Sequence, residues 1–227
     1  PDPWKRDCVV TIDEAGGAHC EYLFDPDEPA PAIVLWGDSH AGAWTPAFEE
    51  AAEELGYNLY SFVRDGCPPA QVSPIATVVG RDIGAEEQRN CAARNAEVLD
   101  FVESHPNVVG VFAANLSTNY VFPDDAPYGD IDSALAAFET PGRVVGLMGD
   151  VPLTGDAYGD RVNVAECLVV NSADLSACDN SRERALDSTG QREFVRERLG
   201  DRAAVIEGPE NFCDDTTCYA AIGGVPV

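Results

Sequence analysis

Ala32-Ile33-Val34-Leu35-Trp36-Gly37-Asp38-Ser39-His40-Ala41 is the stretch that decides the fold. Five apolar residues run unbroken to Gly37, as a buried strand does, and the polar residues follow at once. Residues 43–56 then place Trp44, Phe48, Ala51, Ala52 and Leu55 at helical spacing and stop at Gly56. A buried strand running straight into an amphipathic helix opens a βα unit. In open α/β sheets the ligand crevice lies outside the carboxyl ends of the strands, so Ser39 stands where substrate would bind. Its hydroxyl can face a substrate while its backbone N–H and the helix N-terminus favour developing negative charge. The competing reading is that Ser39 only caps the helix.

Outward from this stretch the same alternation continues. Strands are predicted at 58–63, 108–114, 143–148 and 203–207, and helices at 86–104, 131–139 and 181–199. That order predicts βαβ units, a mostly parallel sheet and a layered α/β fold. Two regions break it. Residues 1–31, with two cysteines and four prolines, read as an irregular, disulfide-stapled lead-in to a domain spanning 32–227. Residues 151–180 read as an irregular stretch holding another cysteine pair.

The 227 residues carry 14 basic and 40 acidic side chains, a formal charge of −26. That charge excludes nucleic acid, whose phosphates need clustered Lys and Arg, and disfavours an anionic membrane surface. No apolar run approaches the roughly 20 residues that span a bilayer. Acidic clusters such as Asp124-Asp125 and Asp130 read as solvated surface, which leaves a metal enzyme as a remote reading. The chain begins at Pro1 and shows no signal peptide, so it is expected to be part of a longer, processed polypeptide. Lys5 is the single lysine among the 14 basic residues, which suggests a GC-rich or salt-adapted source.

Eight cysteines are many for a cytosolic chain and an even number for an exported one. They allow 105 connectivities. Sequential pairing, Cys8–Cys20, Cys67–Cys91, Cys167–Cys178 and Cys213–Cys218, is expected because each pair closes a short local loop. Zinc is the alternative, but there is no Cys-x-x-Cys and the three histidines are scattered.

The Gly37-Asp38-Ser39-His40 block after an apolar strand resembles the first block of the SGNH (GDSL-type) hydrolases. More narrowly, the chain resembles the SGNH domains fused to type-three integral-membrane O-acyltransferases. Gly37 to Ala41, Gly66-Cys67-Pro68-Pro69, Cys91, Gly149-Asp150-Val151-Pro152, Cys167-Leu168 and the Cys213/Cys218 pair follow that family's order. The resemblance covers roughly residues 32–227. It implies a three-layer, flavodoxin-like α/β fold with a central parallel sheet of about five strands, disulfide-stapled loops and a C-terminal part missing from these residues. It also implies Ser39 as nucleophile, with an oxyanion hole formed by the backbone N–H groups of Ser39 and Gly66 and the side-chain amide of Asn115. Gly66 has a second reading as a plain turn glycine. Asn115 has a rival in Asn119, and Ala113 stands where the family usually has glycine.

Other polar residues receive no catalytic role. His40 belongs to the motif without serving as base, because neighbours at a helix start point in different directions. Asp38 is expected to brace the turn by accepting backbone hydrogen bonds. His105 reads as a surface histidine at a helix end, and His19 has no assigned role. Asp150, Asp214 and Asp215 read as loop residues. The family's catalytic Asp-x-x-His follows the segment matching residues 223–227, and no such spacing occurs in this sequence. The polypeptide is therefore expected to continue past Val227 into that motif, with residues 1–227 nearly inactive by themselves.

The resemblance implies a serine-dependent O-acyltransferase or esterase acting outside the cytoplasm, with no cofactor or metal. It would move an acetyl or other short acyl group to a cell-envelope glycan or glycolipid. A membrane acyltransferase domain upstream in the same polypeptide would tether it at the cell surface. The alternative is an inactive accessory module that presents a glycan to a partner.

A net charge of −26 repels itself across the folded surface, and salt screens that repulsion. The melting temperature is accordingly expected to rise with NaCl up to molar concentration, as followed by circular dichroism. A flat or falling curve contradicts this.

Overall fold

In the computed structural model, which describes residues 8–12, 18–23, 30–77, 80–152, 164–186, 190–208, 211–223 and 225–226, successive side chains of the 32–37 strand serve two different cores. Ala32, Val34 and Trp36 join one buried cluster, and Ile33 and Leu35 join another. The strand therefore lies in the middle layer of three, with apolar cover on both faces.

The main sheet has seven strands: β1 (Val9–Ile12), β2 (Ala18–Tyr22), β3 (Ala32–Gly37), β4 (Asn58–Val63), β5 (Val108–Ala114), β6 (Val144–Met148) and β7 (Ala204–Ile206). Their order across the sheet is β1-β2-β4-β3-β5-β6-β7. The five strands from β4 to β7 are parallel, so among themselves they follow the flavodoxin-like order 2-1-3-4-5. The winding direction reverses between β3 and β5, and the crevice at that switch point is where such sheets bind ligands. Gly37 pairs with Val63 on one side and Ala114 on the other, so the carboxyl ends of β4, β3 and β5 lie level.

Helix α1 (Ser39–Leu55) covers one face, placing Ala41 and Ala52 against Ile33, Leu35, Leu59 and Met148. The other face is covered by α2 (Ala85–Ser104), α3 (Ile131–Ala136) and, after α4 (Val164–Val170) and α5 (Arg182–Leu186), by α6 (Gly190–Leu199). Trp36 is 1% exposed at the centre of this second core, its ring edge-on to Phe138 at 5.6 Å. Burying a ring of that size contributes roughly 2–3 kcal/mol. Its indole N–H donates to Asn95 Oδ1 at 2.9 Å, and the Asn95 amide donates to the carbonyls of Pro68 and Ala70. Together with the Cys67–Cys91 disulfide, this buried amide holds the loop after β4 against α2.

The cysteines form the sequential set: Cys8–Cys20, Cys67–Cys91, Cys167–Cys178 and Cys213–Cys218, leaving none free for zinc. Several expectations need correction. Within 1–31, the described residues are not irregular: β1 and β2 form an antiparallel hairpin that adds to the edge of the sheet through β4. The 31/32 boundary therefore falls inside one continuous sheet. His19 and Cys20 obscure the strand pattern of β2, but His19 is buried and stacks on Phe62 at 4.5 Å.

Within 151–180, residues 164–170 form α4 despite three valines of low helix propensity. The helix is closed by the Cys167–Cys178 bridge and packs Leu168 with Cys178 and Ala220. Residues 153–163 lie outside the described residues. The 181–199 helix is divided into α5 and α6, with Gly190, a poor helix former, opening the second. Residues 187–189 also lie outside the described residues.

Gly37 marks the tightest passage in the sheet. A Cβ there would sit 1.8 Å from the carbonyl oxygen of Ala114. Gly37→Ala is therefore expected to cost about 3 kcal/mol or more in urea denaturation, because backbone rather than a side chain must move. Gly42→Ala, whose Cβ would meet only Val63 Cγ1 at 3.4 Å, is expected to change stability by less than about 1 kcal/mol.

Candidate active site

The turn from β3 into α1 leaves no slack: Gly37 ends the strand, Asp38 is the N-cap and Ser39 is the first helical residue. The sequence left open that Ser39 was the cap. Asp38 holds that position, and Ser39 is exposed at the carboxyl edge of the sheet.

Asp38 is 1% exposed. Its Oδ1 accepts from the His40 N–H at 2.8 Å, and its Oδ2 accepts from the Leu116 N–H at 3.0 Å and the Tyr120 hydroxyl at 2.7 Å. Burial pushes the Asp38 carboxyl above its ordinary range, while these hydrogen bonds pull it down. Burial, followed by the Asp38 charge, pushes the Tyr120 hydroxyl far above its usual value. The expected bracing role of Asp38 is thus present, and it extends beyond the turn to the loop after β5.

Asn115 is the first residue after β5, 4% exposed. Both its Oδ1 and its Nδ2 are buried without a hydrogen-bond partner. Leaving such an amide unsatisfied costs about 1–3 kcal/mol, so it is poised to gain from a bound polar group. Nearby in sequence, the Ser117 and Thr118 hydroxyls are likewise buried and unpartnered. The rival Asn119 is engaged with the Tyr120 side chain.

Gly66 lies in the turn after β4, where the Cys67 N–H donates to the Arg64 carbonyl at 3.0 Å. Its φ of +72° explains a glycine there, and a Cβ would meet nothing within 4 Å. Ser39, Gly66 and Asn115 therefore follow three adjacent strands at one edge of the sheet.

Two residues given no role turn out to be partners. His40 Nδ1 lies 2.5 Å from Asp150 Oδ1, although 110 positions separate them. Asp150 follows β6, and its aspartate-before-proline block was the sequence signal that could have suggested it. Nothing in the sequence pointed to Tyr120. His105 stands at the C-terminus of α2, against the Phe101 carbonyl and ring. Asp214 is a loop residue whose carboxyl is held well below its usual range by hydrogen bonds from the Tyr219 hydroxyl and the backbone of Thr216 and Thr217. The arrangement at the edge is an exposed hydroxyl at a helix N-terminus with an unpartnered amide on the neighbouring strand. Such a pair can support nucleophilic attack and stabilise an oxyanion.

A family model described as SGNH domain (fused to AT3 domains) matches residues 7–227. No curated protein matches the chain. Among solved structures, the chain is similar to the lipopolysaccharide acetyltransferase periplasmic domain of Salmonella ser. Paratyphi A. The TM-score is 0.62 at 15% identity, over 87% of this chain and 73% of that one. At that identity the likeness concerns the fold, and it agrees with the parallel, two-faced sheet described above.

Asp38→Asn offers one oxygen where three donors need two, so at least one N–H or O–H meets an amide NH2. It is expected to lower stability by about 1–3 kcal/mol at neutral pH. The wild-type carboxyl binds its proton more tightly folded than unfolded. Its linked contribution is complete below the ordinary carboxylate pKa and is lost as pH rises through the raised value. The stability gap between wild type and variant should therefore narrow with rising pH across that window, as read by urea titrations at a series of pH values.

Proposed function

The chain belongs to the family of SGNH domains fused to AT3 domains, and from that premise we propose that it is the extracytoplasmic acyl-transfer domain of an O-acyltransferase. Ser39 gives its hydroxyl proton to a base and attacks the carbonyl carbon of an acetyl or other short acyl ester. The tetrahedral oxyanion is held by the backbone N–H groups of Ser39 and Gly66 and by the Asn115 amide. Collapse expels the donor's oxygen, which takes the proton, and leaves the acyl group on Ser39. A hydroxyl of a cell-envelope glycan or glycolipid then attacks that ester and restores the serine. The base and its aspartate belong to the Asp-x-x-His motif expected after Val227, and the chemistry requires no cofactor.

The observation that carries this reading is the buried Asn115 amide, unpartnered at the strand end beside the one that presents Ser39. The family's fusion to AT3 domains supports a membrane acyltransferase domain in the same polypeptide as the source of acyl groups. No described helix is long and apolar enough to cross a membrane, so tethering falls to that other domain. The fold shared with a periplasmic lipopolysaccharide acetyltransferase domain supports an envelope saccharide as acceptor. Four disulfides fit an oxidising compartment.

The test uses the extracytoplasmic polypeptide extended beyond Val227, with an activated acetyl ester as substrate. Ser39→Ala is expected to reduce hydrolysis to background, and Asn115→Ala to lower kcat by about 10²–10³-fold with little change in KM. Undiminished turnover in Ser39→Ala overturns the reading. Glycan binding that persists without any Ser39-dependent turnover assigns the domain to binding.

A further inference from the structure

Ser39 lies between two residues that are each tied to a different strand end. On one side, Asp38 joins the turn to the loop after β5 through Leu116 and Tyr120. On the other, the His40 backbone N–H is held by Asp38 and the His40 ring is held by Asp150. Asp150 follows β6, two strands from β3, so this second tie passes across the end of β5 where Asn115 sits.

Asp150 is itself a firm anchor. Its side chain is 5% exposed, and the oxygen facing His40 also accepts from the Val151 N–H at 2.9 Å. The preceding Gly149 N–H bonds to the Ile206 carbonyl at 2.6 Å. A Cβ on Gly149 would come within 2.8 Å of the Gly208 nitrogen, so this loop lies close against the chain leaving β7. The His40 side chain keeps only 22% of its surface exposed.

We propose that Asp150 is a positioning residue: acting through His40, it fixes the first turn of α1 and with it the Ser39 hydroxyl. The inference rests on the reading of Ser39 as nucleophile, and it deepens that reading. It assigns Asp150 a geometric task rather than proton transfer, since its bonded oxygen is occupied by His40 and Val151. A serine displaced by about 1 Å from its attack position can lose on the order of 10²-fold in rate, and a second anchor on the helix start prevents this.

The test compares Asp150→Ala, Asp150→Asn and His40→Ala in the extended polypeptide, using amide hydrogen exchange and ester hydrolysis together. In Asp150→Ala, exchange of the peptide spanning residues 38–44 is expected to quicken about tenfold, and kcat to fall about 10–100-fold with KM nearly unchanged. Asp150→Asn retains an oxygen that accepts from His40 and should keep exchange and kcat within about threefold of wild type. His40→Ala should reproduce Asp150→Ala, and the double variant should add nothing further. Should Asp150→Ala fail to fold, His40→Ala gives the same exchange measurement.

Unchanged exchange in Asp150→Ala or His40→Ala overturns the proposal. So does an Asp150→Asn variant as impaired as Asp150→Ala, which would make the charge the active element. If the parent shows no Ser39-dependent turnover, the acyl-transfer reading fails, and the exchange data still decide whether Asp150 holds the turn.

Discussion

A carboxylate buried at a strand end, with three donors converging on it, is the interaction on which the site depends. Asp38 takes the first free N–H of α1, the first backbone N–H past Asn115, and the hydroxyl of Tyr120. Each bond to an ionised acceptor is worth about 1.5–3 kcal/mol, yet burial still pushes the Asp38 carboxyl upward. The environment therefore compensates the charge incompletely. What it secures is position, because the helix start and the β5 loop share one pair of oxygens and cannot drift apart.

The sheet supplies the frame for that bond. Since the winding reverses between β3 and β5, no helix crosses the space above their ends, and the loops that follow them face one another. The two cores hold these ends level: Val34 and Trp36 are gripped by α2 and α3, and Ile33 and Leu35 by α1. Gly37 lets β3 and β5 pass closely where the carboxylate must reach across. Asn95 does comparable work one strand over, carrying the indole of Trp36 and the carbonyls of the Cys67-Pro68-Pro69 loop on a single buried amide.

Much of this frame was legible in the sequence because it is written in short-range periodicity. The run 32–36, the helical spacing of 43–56 and the stops at Gly37 and Gly56 located β3 and α1 closely, and the βα alternation implied a parallel sheet. The β1–β2 hairpin was missed because a buried histidine and a disulfide cysteine replace the apolar residues that would mark β2. Helix α4 was missed because its stability comes from a cross-link and a small satellite core rather than from propensity. At the site, Ser39, Asp38 and Asn115 are adjacent to strand ends and could be found by position alone. The partnership of His40 with Asp150 depends on which strands become neighbours, and the same is true of Tyr120 and Asp38. Contacts across 110 or 82 residues leave no local trace.

The four disulfides span 12, 24, 11 and 5 residues, and no bridge encloses or crosses another. A chain emerging from its N-terminus into an oxidising compartment can close each bridge before the next pair of cysteines arrives. At no stage must an early thiol wait for a distant partner, so the opportunities for mispairing are few and the need for isomerase shuffling is small. The pattern suits a domain delivered in order, in which oxidation keeps pace with synthesis and only the later packing of strands requires the whole chain.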